Sequence, residues 1–340
     1  MARNNKKITI QDVARAAGVS ASTVSRVLND KDDVAADTYK RVQEVIAELG
    51  YTSSLAARSM RSRRTGVIGL ILPDLEDSFL IQVLKGINCA IAEFEYDLIA
   101  YASPSIGTPS KADREQLYVS LLNGSLTDGM IVVTPAAAGF PRIAPVVVID
   151  PNRDCTECPA VIGSNYAGAL MAMEYLLDLG HRCIGFISGR PDLQSADQRL
   201  RGYESALAQA GIPLDPDLIM EGDFTAETGH RVARELLSLP EPPTAIFAAN
   251  DRSAIGAIEA AREMGLRVPE DLSVIGYDDI PEAAYYNPAL TTIDQSILEM
   301  GRLATEILIR LIREENVKSG PYTVPTQLVV RGSCQEVKSE

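Results

Sequence analysis

From Gly66 onward the chain repeats one pattern: a short unbroken apolar run bounded by Gly, Pro or Asp, then a longer stretch with helical spacing. The runs are Val67–Leu72, Asp97–Tyr101, Gly129–Val133, Val146–Ile149, Ile184–Ile187, Ala245–Ala248 and Ser273–Tyr277. Strands apolar throughout are covered on both faces, and strands separated by helices run parallel. The pattern therefore predicts an α/β body, long enough for two Rossmann-like parallel sheets, with no internal sequence repeat. No apolar run approaches the roughly 18 residues of a membrane span. The basic start, Met1–Lys7, is not followed by the apolar stretch of a secretory signal. The expectation is a soluble cytoplasmic protein with no membrane partner.

Charge separates this body from what precedes it. Up to Arg64 the chain holds 12 Lys and Arg against 7 Asp and Glu, net +5; the remainder holds 20 against 39, net −19. Phosphate backbones attract the first segment and repel the second, so a nucleic acid should meet one end only. The five cysteines, Cys89, Cys155, Cys158, Cys183 and Cys334, are odd in number and scattered, which argues against a disulfide framework. Cys155 and Cys158 alone have metal-like spacing. With no second pair and only His181 and His230 in the chain, they fall short of a four-ligand zinc site, and no metal or cofactor is expected.

The basic segment reads as three short helices. Thr9 and Asp12 form a capping box for the first, which runs to about Ala17; Gly18 supplies a left-handed turn. Ser20 caps a second helix, Ala21 to Asn29, with Val24, Val27 and Leu28 inward, and a third, Ala36 to Leu49, ends at Gly50. Val13, Ala14, Val19, Val24 and Val45 can close one small core. In a helix-turn-helix the second helix enters the major groove. Ala21, Ser22, Thr23, Ser25 and Arg26 are then the exposed candidates, with Arg26 suited to guanine and Ser20, Thr23 and Ser25 to phosphate oxygens.

The segments Ile10–Ala14, Ala17–Ser20 and Thr23–Asn29 resemble the signature of the LacI/GalR repressor family. The resemblance implies a hinge helix that folds on operator DNA and inserts an apolar lever into the minor groove; Ser54–Arg61 occupies its place. Thr9, Asn29, Ala57 and Met60 complete the implied DNA-contacting set. Met60 stands where the family usually has leucine, Ser53 where it often has proline, and Ala35 where a serine commonly caps the third helix. The implied organisation is a headpiece at 1–52, a hinge at 53–64 and a body at 65–340. That body resembles periplasmic sugar-binding proteins, with lobe 1 at about 65–164 and 293–323, lobe 2 at about 165–291 and 325–340, and crossovers near Ser164, Thr292 and Val324. Leu179–His181, Gly185–Gly189, Arg199–Tyr203, Ala249–Asp251, Gly276–Asp279 and Pro288–Ile293 carry this second resemblance.

Ligands of doubly wound sheets bind beyond the carboxyl ends of the strands. Asp74, Asp150, Asp251 and Asp278 each follow an apolar run, and Arg199 is expected to start the helix after Ile184–Ile187. A carboxylate and a guanidinium facing one cleft can grip neighbouring hydroxyls, while Phe79 or Phe224 covers the apolar face of a sugar ring. By resemblance, Arg199 and Asp251 match the family's effector-gripping arginine and aspartate. The usual Asn-Pro-Phe at the cleft rim reads here Asp77-Ser78-Phe79.

An enzyme is the competing class. There is no Gly-x-Gly-x-x-Gly after a strand, no phosphate loop ending in Gly-Lys-Ser/Thr and no Gly-x-Ser-x-Gly elbow, and two histidines leave little acid–base capacity. An exported sugar receptor would need a signal sequence and no headpiece. The expectation is therefore a repressor that binds double-stranded operator DNA as a homodimer or a dimer of dimers, under control of a small sugar-like effector. A ligand that releases the operator and one required for binding it fit the sequence equally.

Overall fold

Thr9 opens the first helix as its residues dictate: the Asp12 amide donates to its hydroxyl at 3.4 Å and the Thr9 amide donates to the Asp12 carboxylate at 2.9 Å. The computed structural model describes residues 8–28, 33–51, 64–73, 77–103, 110–122, 126–141, 143–152, 157–318 and 320–337. The chain divides into two compact units, Met1–Thr65 and Gly66–Glu340.

The first unit holds α1 (Ile10–Ala17), α2 (Ala21–Leu28) and α3 (Ala36–Leu49). Gly18 ends α1 at φ 66°, a left-handed turn that glycine adopts without steric cost. Val13, Ala14, Ala17, Val24, Val27, Val42 and Tyr51 are buried. Val19, Leu28 and Val45, expected inside, are only half-buried, because Val42 and Tyr51 fill the centre. Tyr51 reaches it through the turn at Gly50, its amide donating to the Ile46 carbonyl at 3.1 Å. Asn29, Ala57, Met60 and the expected hinge helix Ser54–Arg61 lie outside the described residues.

The second unit contains two parallel sheets. The larger is built from β1 (Val67–Leu72), β2 (Asp97–Ala102), β3 (Gly129–Val133), β4 (Val146–Ile149), β5 (Ala160–Gly163) and β11 (Pro321–Val324), in the order β11-β5-β4-β3-β1-β2. Strand β1, one in from the edge, is buried throughout and sets Leu70 opposite Ala100 on one side and Ile131 on the other. The smaller comprises β6 (Ile184–Ile187), β7 (Ile219–Met220), β8 (Ala245–Ala248) and β9 (Ser273–Ile275), in the order β7-β6-β8-β9. The strand expected to reach Tyr277 stops at Ile275: the Tyr277 carbonyl turns to the Asp251 amide, 2.7 Å away, and Asp278 adopts φ 118°.

Helices cover both sheets. α4 (Ser78–Glu93) lies against α11 (Ile297–Ile312) so closely that a Cβ on Gly86 would sit 1.9 Å from the Leu298 carbonyl oxygen. Between them in sequence come α5 (Lys111–Leu122), α6 (Asn165–Asp178), α7 (Gln194–Gln209), α8 (Ala226–Leu237), α9 (Asp251–Glu263) and the short α10 (Pro281–Tyr285). A two-stranded antiparallel ribbon, β10 (Thr292–Asp294) with β12 (Gln327–Val329), stands where the chain passes between lobes. The passages are tied together: the Ser164 hydroxyl donates to the Val324 carbonyl at 3.0 Å, and Gln327 Nε2 donates to Asp294 at 3.0 Å.

Candidate functional site

Two sites follow, one in each unit. In the first, α2 buries Val24 and Val27, three residues apart, and so turns its opposite face outward. Ser20 accepts the Thr23 amide at 3.1 Å and holds the hydroxyls of Ser22 at 2.6 Å and Thr23 at 2.9 Å. Thr9, Ser20, Ser22 and Arg26 are exposed, whereas Ala21, Thr23 and Ser25 are half-buried. The first turn thus presents hydroxyls and backbone N–H groups at the positive end of the helix dipole. Arg26 approaches Asp33 at 3.5 Å, both side chains exposed, a contact weak enough to exchange for a base or phosphate.

In the second unit a cavity of about 260 Å³ lies between the lobes. Its walls come from the carboxyl ends of both sheets: Pro73 after β1, Thr134 after β3, Asp150 after β4, Arg190 after β6, Asn250 after β8 and Asp278 after β9. Among the described residues, the non-glycine residues at positive φ are Glu95, Thr134, Asp150, Phe224, Asp278, Asp279, Ser296 and Glu314. Thr134, Asp150, Phe224 and Asp278 line the cavity. Backbone strain concentrates where strand ends must aim side chains into one space.

Arg199 is the centre of this site. It lies in the second turn of α7 rather than at its start and is 3% exposed. Its Nε donates to Asn165 at 2.9 Å, Nη1 donates to the Ala249 carbonyl and lies 3.4 Å from Asp278, and Nη2 donates to Gln295 at 3.4 Å. Its flat face lies 3.7 Å from the Tyr277 ring centroid. Gln295 in turn donates to Asp278. Burial pushes the Asp278 carboxyl up to about 7, with Arg199 pulling the other way. Burial also raises Asp150, whose carboxylate accepts from the Ser195 hydroxyl at 3.2 Å.

Phe79 and Phe224 both line the cavity. The Phe224 ring rests where any Cβ on Gly189 would be, 1.9 Å away. Asp251 is placed differently from its neighbours. It is 0% exposed and does not line the cavity; its carboxylate accepts from the Ile280 amide at 2.9 Å and from the Thr292 hydroxyl, joining α9 to α10 and the β10 crossover. Burial, followed by the nearby Asp278, raises its carboxyl well above the usual range. Helix register accounts for this: Asn250 caps α9 and Arg252 follows in its first turn, and these two flank Asp251 and face the cavity. Asp74 lies outside the described residues.

Sequence reasoning missed Lys111, Arg190, Ser195, Asp223, Asn250, Arg252 and Gln295 as wall residues. Asn250 carried a signal, the cap position beside the Asp251 it considered; Lys111 and Gln295 carried none. Contacts across the lobes frame the site. Arg252 Nη1 lies 2.9 Å from Asp77, Ser78 donates to Glu282, and Asn152 bridges Leu193.

The histidines are elsewhere. His181 binds the hydroxyls of Thr244 at 2.9 Å and Ser273 at 3.0 Å, and burial lowers its pKa; His230 pairs with Glu263 at 3.0 Å on the surface. Cys158 is half-buried, Cys155 lies outside the described residues, and among the described residues no group of three His, Cys, Asp or Glu could hold a metal. No helix among them is long and apolar enough to cross a membrane.

Comparison with known proteins joins the two sites. Residues 9–54 match the bacterial regulatory proteins of the lacI family, and residues 173–334 match the periplasmic binding protein-like domain. The HTH-type transcriptional repressor CytR of Escherichia coli (strain K12) is 35% identical over 334 residues, 96% of each chain. The chain belongs to the LacI family. A lac repressor dimer bound to operator and the anti-inducer ONPF superposes with a TM-score of 0.84 at 29% identity, over 97% of this chain and 100% of that one. The complex of the regulator CelR with cellobiose gives 0.72 at 31% identity, over 96% and 99%. This LacI-family chain is accordingly a DNA-binding repressor with an effector-binding body, and not an enzyme.

Proposed function

We infer that the chain binds a near-palindromic operator as a homodimer through α2, and that a small sugar-like molecule in the interlobe cavity sets its affinity. One observation carries the reading. A helix that exposes Ser22 and Arg26, with Ser20 exposed at its start, belongs to the same chain as an interlobe cavity with a buried arginine in its wall. Arg26 reads a guanine, and Ser20, Thr23 and Ser25 grip phosphates. Arg199, Asp150 and Asp278 grip ligand hydroxyls, while Phe79 and Phe224 cover the ring. Asp251 acts one step back, holding the lobe-2 wall in place through Ile280 and Thr292.

The contacts Arg252–Asp77 and Ser78–Glu282 tie the two lobes together beside the cavity. A ligand that favours closure changes the spacing of the two hinge segments of a dimer, and with it the ease of docking two headpieces on two half-sites. The test is anisotropy of the full-length protein on a duplex selected from a random library, with and without sugars. The expected result is a salt-sensitive preference for that duplex and a shift of about 5- to 150-fold with ligand. No preference for any duplex would overturn the reading.

A further inference from the structure

Among the described residues, four cations line the cavity, and each already has a carboxylate. Lys111 lies 3.9 Å from Glu115, Arg199 3.4 Å from Asp278 and Arg252 2.9 Å from Asp77. Arg190 gives Asp192 two parallel hydrogen bonds, the one from Nε at 3.0 Å. Asp150 and Asp223 line the same cavity, and among the described residues neither is ion-paired; they accept from Ser195 and Thr225 hydroxyls. Six carboxyl groups thus surround four cations, and burial raises the pKa of three of them, Glu115, Asp150 and Asp278.

The helix ends facing the cavity add no unmatched positive charge: α7 has no side-chain cap, but Asp150 accepts from Ser195 in its first turn. Asp77 accepts the first amides of α4, Thr225 that of Thr228 in α8 at 3.2 Å and Asn250 that of Ser253 in α9 at 3.0 Å. At one end, Lys111 and Glu115 from lobe 1 meet Arg190 and Asp192 from lobe 2 in a single neutral cluster. Glu115 is locked there, 1% exposed, by the Ala136 and Ala137 amides at 2.9 Å each. An entering phosphate would have to take a cation from a held carboxylate while facing Asp150, and both steps are unfavourable in a desolvated site. A ligand hydroxyl donates to Asp150 and accepts from an arginine that keeps its carboxylate.

We propose that the cavity takes an uncharged polyhydroxyl effector, and that Glu115 and Asp192 act as built-in counter-ions that keep phosphorylated ligands out. This rests on the reading of the cavity as the effector site. The test is calorimetric and thermal-shift titration of the full chain with ribose, glucose and cellobiose, their phosphorylated counterparts, and inorganic phosphate at constant ionic strength. At least one uncharged sugar should bind saturably, its phosphorylated counterpart about tenfold or more weakly, and inorganic phosphate should not stabilise the protein saturably. Asp192→Asn, at a half-exposed position, should narrow the gap by about threefold or more, since it frees Arg190. Tighter binding of the phosphorylated member, saturable stabilisation by phosphate alone, an unchanged gap in Asp192→Asn, or binding of no uncharged sugar would each overturn the proposal. A sugar that binds as described but leaves operator affinity unchanged would sink the regulatory reading and leave this one standing.

Discussion

Helix α2 and the interlobe cavity place their functional side chains by different means. On α2, the residues that face outward are fixed by their own helix: Val24 and Val27 turn inward, so Ser22 and Arg26 turn outward, within one stretch of eight residues. In the cavity, Lys111, Arg199, Asp278 and Gln295 come from four segments spread over most of the body, and each is held by contacts to the others or to distant backbone. A local site tolerates the loss of one side chain because the helix survives it. A convergent site does not, since each group is also part of the support for its neighbours.

Arg199→Ala is the severest test of that difference. It leaves Asp278 buried without its cation and strips hydrogen bonds from Asn165 and Gln295. Removing one partner of a buried pair costs about 3–5 kcal/mol, so urea unfolding should reveal a large loss in the body and ligand titration no response. A loss below about 1 kcal/mol would mean that the cavity is not mutually supported. Titration probes the same coupling. Asp278, pushed up to about 7 chiefly by burial, keeps its proton in the folded chain across a range in which the unfolded chain has lost it. Folding stability from this group is therefore present below about pH 4 and is lost as pH rises to about 7, with a slope of at most about 1.4 kcal/mol per pH unit. The native protein should lose stability relative to Asp278→Asn over that window; a gain, or parallel curves, contradicts the assignment.

Smaller effects should separate the two sites. Gly189→Ala forces the Phe224 ring out of its seat. Overpacking of this kind costs about 1–3 kcal/mol, and its expected signature is weaker ligand binding with unchanged operator affinity of the ligand-free protein. Arg26→Ala should do the reverse, costing about 1–3 kcal/mol on the selected duplex and little on random DNA, with ligand binding intact. Equal losses on both duplexes would remove Arg26 from base reading.

The same contrast decides what could be read in advance. The capping box Thr9–Asp12, the bounds of α3 and strands β1, β3, β4, β6 and β8 follow from neighbours in sequence, and all stand where their residues put them. Strand β7 is two residues long, too short to carry a pattern, and β10 and β12 exist only because they pair with each other. The aspartates at strand ends were recognisable as a class. Which of Asp251 and Asp278 would face the cavity was not, because it turns on the register of α9 and on the left-handed turn after Tyr277. Val45 was misplaced for a related reason: the space it was expected to fill goes to Val42 and to Tyr51, which arrives from beyond the helix end.

The mildest test concerns a local rule that the headpiece leaves unmet. Ala35 stands at the N-cap of α3 with φ −56° and ψ 137°, and no side chain there accepts a hydrogen bond. Asp37 lies in the first turn and favours the helix dipole, but its charge cannot replace an acceptor at the cap. Ala35→Ser supplies that acceptor and should add about 1 kcal/mol of local stability, seen as slower hydrogen exchange in the α3 amides of the full chain. Because the exposed face of α2 owes its aim to Val24 and Val27 rather than to this cap, operator preference should stay the same. A change in preference would mean that the local site, too, depends on its neighbours, and the distinction between the two sites would be one of degree.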